Sequence, residues 1–307
     1  MAQSENQIGV VGGGLIGLSW ASLFSAFGYE TIVYDPYLKE QNLAIQTIHN
    51  MWASLDLLYE DILDKREVKF SNSINDLKSA TFIQENCPED LKLKKDTILK
   101  LEKVVSENTV IASSTSSFLP SELQSGCAKP ERIIVGHPMN PPHLIPLVEL
   151  VLGEISSEKI TNRANFFYQT LERIPVRIKK EMRGHLANRL TSALYREAVY
   201  LISEGVADVS DVDAVISNGP GLRLALLGPH MNYHLGGGNG GYRNYLEHLG
   251  PSQEERWKTL GQAPLTPELK EKLISGIEIQ KLNLSELKKK RDISLIEILK
   301  TKKANKL

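Results

Sequence analysis

The sequence predicts an α/β fold for residues 1–183 and an all-helical domain for residues 184–307. Three observations carry this reading. Short β-branched runs alternate with helical patterns as far as Ile178. A glycine-rich turn joins the first run to the first helix, and strand signals nearly vanish beyond Gly184. Strands that alternate with helices argue for a mainly parallel sheet, because parallel neighbours need a crossover between them.

Taken in order, Ile8–Val11 reads as a buried strand and Leu15–Phe27 as the helix packed on it. Thr31–Asp35 is a second buried strand, ended by Pro36, and a long helical pattern runs from Tyr37 to about Asp64. Further apolar runs fall at Thr81–Ile83, Thr109–Ile111 and Arg132–Val135, with a helical segment at Leu91–Val105. Pro146–Val151 and the alternation Val176-Arg177-Ile178 read as the last strands. Beyond Gly184, Leu186–Ile202 is a long helical pattern closed by Gly205, and Ser210–Ser217 is another. The stretch Gly236-Gly237-Gly238-Asn239-Gly240-Gly241 is expected to be a loop, since so many glycines favour neither helix nor strand. The tail from Lys270 is Lys/Glu/Leu-rich and reads as helix with a frayed basic end.

Composition narrows the class. The 36 Lys and Arg against 37 Asp and Glu give a net charge of -1, which offers no general attraction to nucleic acid or anionic lipid. Cys87 and Cys127 stand alone, without pairing or metal-ligand spacing, so a reducing compartment and no bound metal are expected. The polar stretch Met1–Gln7 leads straight into a strand, which leaves no room for a signal peptide, and no apolar run is long enough for a membrane helix. A cytoplasmic enzyme fits these bounds.

The turn Gly12-Gly13-Gly14-Leu15-Ile16-Gly17 supplies G-x-G-x-x-G between a strand and a helix. Gly12 permits the tight turn, Gly14 lets backbone approach a pyrophosphate, and Gly17 lets the helix pack on the strand. The helix N-terminus then offers free N–H groups and partial positive charge to phosphate. Asp35 ends the second strand, where its carboxylate would accept from ribose hydroxyls and repel a 2′-phosphate. The whole unit predicts a Rossmann-type domain that binds NAD rather than NADP, contacted by Gly12, Gly14, Leu15, Ile16, Gly17 and Asp35.

A second constellation lies in Gly136-His137-Pro138-Met139-Asn140-Pro141, followed by Leu147-Val148-Glu149 and later by Asn188-Arg189. Histidine suits proton transfer because its ordinary pKa, about 6.5, lets it hold or release a proton near neutrality. By itself His137 reads more readily as a structural histidine than as a catalytic one, and Glu149 as a strand-end carboxylate paired with a nearby cation.

The motifs taken together are similar to those of the 3-hydroxyacyl-CoA dehydrogenase superfamily, from Ile8 to about Gly250. They are the glycine turn, Glu85-Asn86-Cys87-Pro88-Glu89 with Lys94, Ser113–Ser117, His137–Pro141, Pro146–Glu149, Gly184–Arg189 and Gly228-Pro229. The resemblance implies that His137 is the general base that takes the hydroxyl proton as hydride leaves for the nicotinamide. It implies that Glu149 orients and stabilises the imidazole, and that Ser116 and Asn188 donate to the substrate oxygen. Asn188 reads alternatively as a helix cap or an interdomain contact. Asn140, Glu89 and Lys94 match cofactor-contacting positions, with a solvated helix charge as the alternative for Lys94. The helical domain matches the family's dimerisation unit, so a homodimer is expected.

Two departures bear on substrate. The segment Asn50–Asp61 is apolar and acidic where long-chain members carry lysines for CoA phosphates, and the closing Lys-x-Gly-x-Gly-Phe-Tyr motif is missing. In detail the chain resembles the branch that holds L-carnitine dehydrogenase and lambda-crystallin (L-gulonate 3-dehydrogenase). His137–Pro142 with Ile145–Leu150 leans toward the second, while Gly219-Pro220-Gly221-Leu222-Arg223 with Gly228-Pro229 and His234–Gly238 leans toward the first. Both act on small free 3-hydroxycarboxylates, which makes Arg223 a candidate clamp for the substrate carboxylate, or else an ion-pair residue of the surface or dimer interface. A carnitine trimethylammonium would want aromatics, which Tyr233, Tyr242, Tyr245 and Trp257 supply; His143 and His230 stand where aromatics are expected. L-Carnitine is the expected substrate, with L-gulonate or a 3-hydroxyacyl-CoA as alternatives. A non-catalytic crystallin-like role is the distant one, since His137 and Glu149 are both present.

Overall fold

The computed structural model describes residues 7–59 and 63–307. The polar lead-in before Gln7 and the end of the helical pattern toward Asp64, with Glu60 and Asp61 of the acidic segment, fall at least partly outside those residues. The chain divides into two compact units, 1–188 and 189–307.

The first unit is built on an eight-stranded sheet. Its elements are β1 (Gln7–Val11), α1 (Leu15–Ala26), β2 (Glu30–Tyr34), α2 (Gln41–Leu58), β3 (Lys69–Ser71), β4 (Ala80–Glu85), α3 (Leu91–Glu102) and β5 (Val110–Ser113), then α4 (Pro120–Gln124), β6 (Ile133–Pro138), β7 (Leu147–Val151), α5 (Glu158–Thr170) and β8 (Ile174–Ile178). The spatial order is β3-β2-β1-β4-β5-β6-β7-β8. The first six strands in that order are mutually parallel, β7 runs antiparallel to β6, and β8 is parallel to β7. Side chains such as Val10, Phe82, Val110 and Ile134 bury one face against α1, α2 and α5, while Val11, Ile83, Ile111 and Val135 bury the other against α3 and α4. Both faces are covered, which is why these strands read as continuous apolar runs.

Strand order reverses between β1 and β4, so connections leave in opposite directions there and open a crevice at the carboxyl edge, where open α/β sheets bind ligands. The glycine turn, the Asn86–Asp90 stretch, the Ser114–Phe118 loop and the end of β6 all lie at that edge. Strand β3 was not foreseen: it is three residues at the sheet edge, with an exposed lysine and no buried side chain to announce it.

The second unit is helical throughout. Helix α6 (Ala187–Ser203) begins at the end of the first unit, and α7 (Val209–Asn218), α8 (Pro220–Leu226), α9 (Pro229–Gly236), α10 (Gly241–Thr259), α11 (Pro267–Glu278) and α12 (Leu284–Ala304) follow. The glycine-rich stretch is not the loop expected. Gly236 closes α9, residues 238–240 form a 3₁₀ turn, and Gly241 opens α10. Left-handed φ at Gly238 and Gly241 turns the chain within this short span, and a Cβ on Gly237 would stand 1.8 Å from the Gly241 carbonyl. Glycine here serves a tight helix–helix junction. Among the described residues, no helix is long and apolar enough to cross a membrane.

Candidate active site

The glycine turn is shaped by contacts that exclude side chains. Gly12 has φ +96°, and a Cβ on it would lie 2.7 Å from the carbonyl oxygen of Asn86 at the end of β4. A Cβ on Gly17 would lie 1.9 Å from the Gly12 carbonyl, so the first turn of α1 and the strand that feeds it touch through backbone. Gly14 differs: nothing lies within 4 Å of where its Cβ would be. Packing does not require glycine there, yet that open space faces the start of a helix that no side chain caps. Asp35 accepts from Gly13 N–H at 2.8 Å and from Tyr37 N–H at 2.9 Å, which pins its carboxylate beside the turn. An open backbone cradle, an uncapped helix N-terminus and a fixed carboxylate at the second strand's end fit an adenine dinucleotide without a 2′-phosphate. Leu15 lies 60% exposed at the rim of this turn, and Ile16 is partly buried behind it.

His137 and Glu149 face one another because β6 and β7 are antiparallel and pair in the register His137↔Glu149. Their side chains are buried and meet at 2.7 Å, Nδ1 to Oε2. A carboxylate can only accept, so Nδ1 carries a proton, and in the neutral ring Nε2 is the nitrogen with the lone pair. The other carboxylate oxygen accepts from the N–H groups of Leu186 and Ala187, at 2.8 and 2.9 Å, at the start of α6. Burial pushes the Glu149 carboxyl up, but the His137 hydrogen bond and the two backbone donors outweigh it and hold the group below its ordinary value. Glu149 is therefore an anion braced on both oxygens.

Asn188 follows directly on the Ala187 N–H of this framework, and Ser116 follows Thr115 in the loop after β5. The Thr115 hydroxyl and the N–H groups of Ser116 and Ser117 all donate to one oxygen of Glu89. Those bonds, with the Lys94 charge nearby, hold Glu89 below its ordinary pKa despite partial burial. Among the described residues, neither the Ser116 hydroxyl nor the Asn188 amide forms a hydrogen bond, so both remain free to donate. Asn188 sits in the first turn of α6, directly after the Ala187 N–H that supports Glu149. Asn140 is exposed, just past β6.

Lys94 is not a solvated charge. It is buried, with Nζ 3.0 Å from Glu85, 2.9 Å from the Cys87 carbonyl and 3.5 Å from Glu89. Arg223 belongs to the helical unit, on α8, where it is exposed and forms no ion pair among the described residues. The helical unit also groups Tyr233, Tyr242 and Tyr245, whose rings stack with centroids 4.4 and 6.1 Å apart, with His230 edge-on to Tyr242. His143 is buried and held by the Ser19 hydroxyl of α1, on its ring and on its backbone N–H.

Two contributors escaped the sequence reading: the N–H pair of Leu186 and Ala187, and His185 between them and the rest of the site. Backbone donors carry no residue signature. A glycine followed by histidine at the start of a long helical pattern was the available sign, since Gly184 and His185 both take left-handed φ, +78° and +50°.

A dinucleotide cradle and a carboxylate-oriented histidine on one sheet edge define a nicotinamide-dependent oxidoreductase. The chain belongs to the 3-hydroxyacyl-CoA dehydrogenase family. Residues 7–182 match the family's NAD-binding domain and residues 184–277 its C-terminal domain. It is 41% identical to an L-carnitine dehydrogenase of Oceanobacillus iheyensis, over 95% of this chain and 97% of that one. An L-carnitine dehydrogenase of Bacillus cereus is 40% identical, over 96% of this chain and 92% of the other. Among solved structures, 5-formyl-3-hydroxy-2-methylpyridine 4-carboxylic acid 5-dehydrogenase, an NAD+ dependent dismutase, is similar with a TM-score of 0.81 and 25% identity, over 95% of this chain and 97% of that chain.

Proposed function

We infer that this enzyme oxidises the 3-hydroxyl of a small free L-3-hydroxycarboxylate, and that the substrate is L-carnitine, which becomes 3-dehydrocarnitine. The observation that carries the reaction is the His137–Glu149 pair, in which Nδ1 of His137 is bonded to a carboxylate held as an anion. NAD, when bound, supplies the nicotinamide ring that accepts the hydride. His137 Nε2 takes the hydroxyl proton, and Glu149 stabilises the imidazolium that results. The Ser116 hydroxyl and the Asn188 amide donate to the substrate oxygen as it gains negative charge. In the reverse direction His137 returns the proton. Gly12, Gly14, Leu15, Ile16 and Gly17 seat the dinucleotide, Asp35 holds the ribose, and Asn140 and Glu89 complete the cofactor side. Lys94, held deep between Glu85 and Glu89, serves that side through Glu89.

The choice of a free acid over a CoA thioester is supported by α2. Trp52 and Leu55 turn into the core, and Asp56 is paired with Lys65 at 2.5 Å, so the segment offers a polyanion no row of free cations. Carnitine over gulonate is supported by the kinship with carnitine dehydrogenases over nearly the whole chain. In this reading the domain of residues 1–183 carries NAD and that of residues 184–307 carries substrate recognition and dimerisation. Arg223, whose guanidinium forms no ion pair among the described residues, binds the substrate carboxylate. Two free cysteines and no membrane helix among the described residues suit a cytoplasmic enzyme.

The test is NADH formation from NAD with L-carnitine, L-gulonate, L-3-hydroxybutyrate and 3-hydroxybutyryl-CoA in parallel. L-Carnitine is expected to be turned over best, and His137→Ala to lower kcat by about 10²–10⁴-fold, the usual worth of a positioned general base. Preference for the thioester would overturn the substrate, and an undiminished His137→Ala enzyme would overturn the mechanism.

A further inference from the structure

We propose that His185 is a positioning residue, a buried imidazole that locks the Ser116 loop to the turn supporting Glu149. The proposal rests on the dehydrogenase reading of this site and adds a component to it.

The ring is wholly buried and lies between the two halves of the constellation. Its Nε2 is 3.0 Å from the Thr115 carbonyl, and a carbonyl can only accept, so Nε2 carries the proton. Nδ1 is then the lone-pair nitrogen, and it is buried with no partner among the described residues. Adding a proton there would bury a cation, a cost that the nearby Met182 carbonyl offsets only in part. Burial holds the ring below the ordinary histidine value, and the neighbouring His137 acts in the same direction; the Thr115 and Met182 carbonyls and the Glu149 charge oppose them. The titratable groups that act on the ring are thus His137 on β6 and Glu149 on β7.

Each bond of this residue has a structural consequence. Thr115 precedes Ser116 in a loop that Glu89 grips through one side-chain hydroxyl and two backbone N–H groups. The His185 bond to the Thr115 carbonyl holds the same loop from the other direction. The His185 backbone, in the left-handed region beside Gly184, turns the chain so that the next two N–H groups converge on one oxygen of Glu149. One side chain therefore fixes the distance between the Ser116 hydroxyl and the His137–Glu149 pair, while Asn188 follows in the same turn.

Neutrality matters as much as position. The His137 and His185 rings are 5.1 Å apart, centroid to centroid. A second imidazolium there would repel the charge that His137 acquires in catalysis and compete for Glu149. A locked Nε2–H tautomer leaves Glu149 to His137 and to backbone.

The test uses the full-length enzyme with ¹⁵N-labelled histidine. His185 is expected to show the Nε2–H tautomer, unprotonated across the range where ordinary histidines titrate. A titrating His185, or one protonated at Nδ1, overturns the proposal whether or not any substrate has been found. Two variants examine the lock. His185→Phe keeps a ring but loses the donor, while His185→Gln keeps an N–H near the position of Nε2. With the hydroxyacid that wild type turns over, His185→Phe is expected to lose at least tenfold in kcat with NADH affinity unchanged, and to lose the low-field Nδ1–H signal of His137. His185→Gln is expected to keep both within a few-fold. Equal loss in the two variants, or none in His185→Phe, would reject a hydrogen-bonded lock. If His185→Phe does not fold, the tautomer measurement on wild type and the His137 signal in His185→Gln decide the matter. Failure of L-carnitine as substrate would leave these spectroscopic results standing, so the two readings fall separately.

Discussion

Glu149 concentrates the energetics of the site in one carboxylate, and its two oxygens divide the work. One faces the His137 Nδ1–H, and the other accepts two N–H groups at the start of α6, where the helix also presents partial positive charge. Three donors on a buried anion exceed the cost of burial, so its pKa falls below the ordinary 4.5. A carboxyl with a depressed folded pKa contributes stability that is fully present above the unfolded value and is lost as pH drops through the folded one. Wild type should therefore lose part of its advantage over Glu149→Gln once the pH falls below 4.5. Denaturant midpoints of both proteins, taken from about pH 7 to about pH 3, measure this. A gap that stays constant with pH would mean the carboxylate is not held as an anion by the fold. The same substitution turns an amide N–H₂ or a neutral carbonyl toward Nδ1, so the histidine tautomer is no longer dictated, and activity should drop with the charge.

The glycine turn makes a sharper contrast at the scale of an element, because two of its glycines are required for different reasons. At Gly17 a methyl group meets backbone at 1.9 Å, which no side-chain rotation relieves. Gly17→Ala is expected to cost about 1–3 kcal/mol of stability, as overpacking does. At Gly14 the methyl group meets nothing within 4 Å, so Gly14→Ala should melt within the small range of a surface substitution. Under the proposed reading its effect should appear instead in NADH titrations, as affinity weakened about tenfold, or ~1.4 kcal/mol, because the methyl group would occupy space proposed for the pyrophosphate. Wild-type NADH affinity in Gly14→Ala would remove this turn from the cofactor site. These local signals are also why so much of the first unit could be read from sequence. Buried parallel strands announce themselves as apolar runs, and a glycine turn between strand and helix states its own geometry. The parts that escaped are those whose information is not local. The β3 edge strand has no fully buried side chain, Lys94 looks like any helical lysine until Glu85 is placed opposite it, and the Leu186 and Ala187 donors are backbone. The Gly236–Gly241 stretch signalled turn chemistry correctly, but composition does not say that two helices meet there through a single 3₁₀ turn.

At the scale of the molecule, the two units bury themselves very differently. The first has apolar clusters on both faces of its sheet. In residues 189–307, by contrast, the buried hydrophobic side chains are Val199, Ile202, Tyr245, Leu269 and Ile296 alone. Large apolar residues of the same unit stand open instead, among them Leu190 at 67%, Leu222 at 61% and Leu235 at 63% exposed. A chain segment of this length with so small a core does not offset the entropy of ordering it. Exposed apolar surface on this scale is a feature of interaction sites, and two-fold pairing with a second copy is the commonest assembly of soluble oligomers. A homodimer, expected from the family resemblance, is one assembly that would cover this surface, and solution mass tests it directly. Its mass in sedimentation or light scattering should be about twice the 34.2 kDa of one chain at all workable concentrations. Folding and association would then be a single equilibrium, so stability should rise with protein concentration by about 1.4 kcal/mol per tenfold. The melting temperature should climb with it, on the order of 2 °C per tenfold. A stable folded monomer with a concentration-independent melt would show that the helical unit closes its core by itself, and the dimer would lose its physical basis.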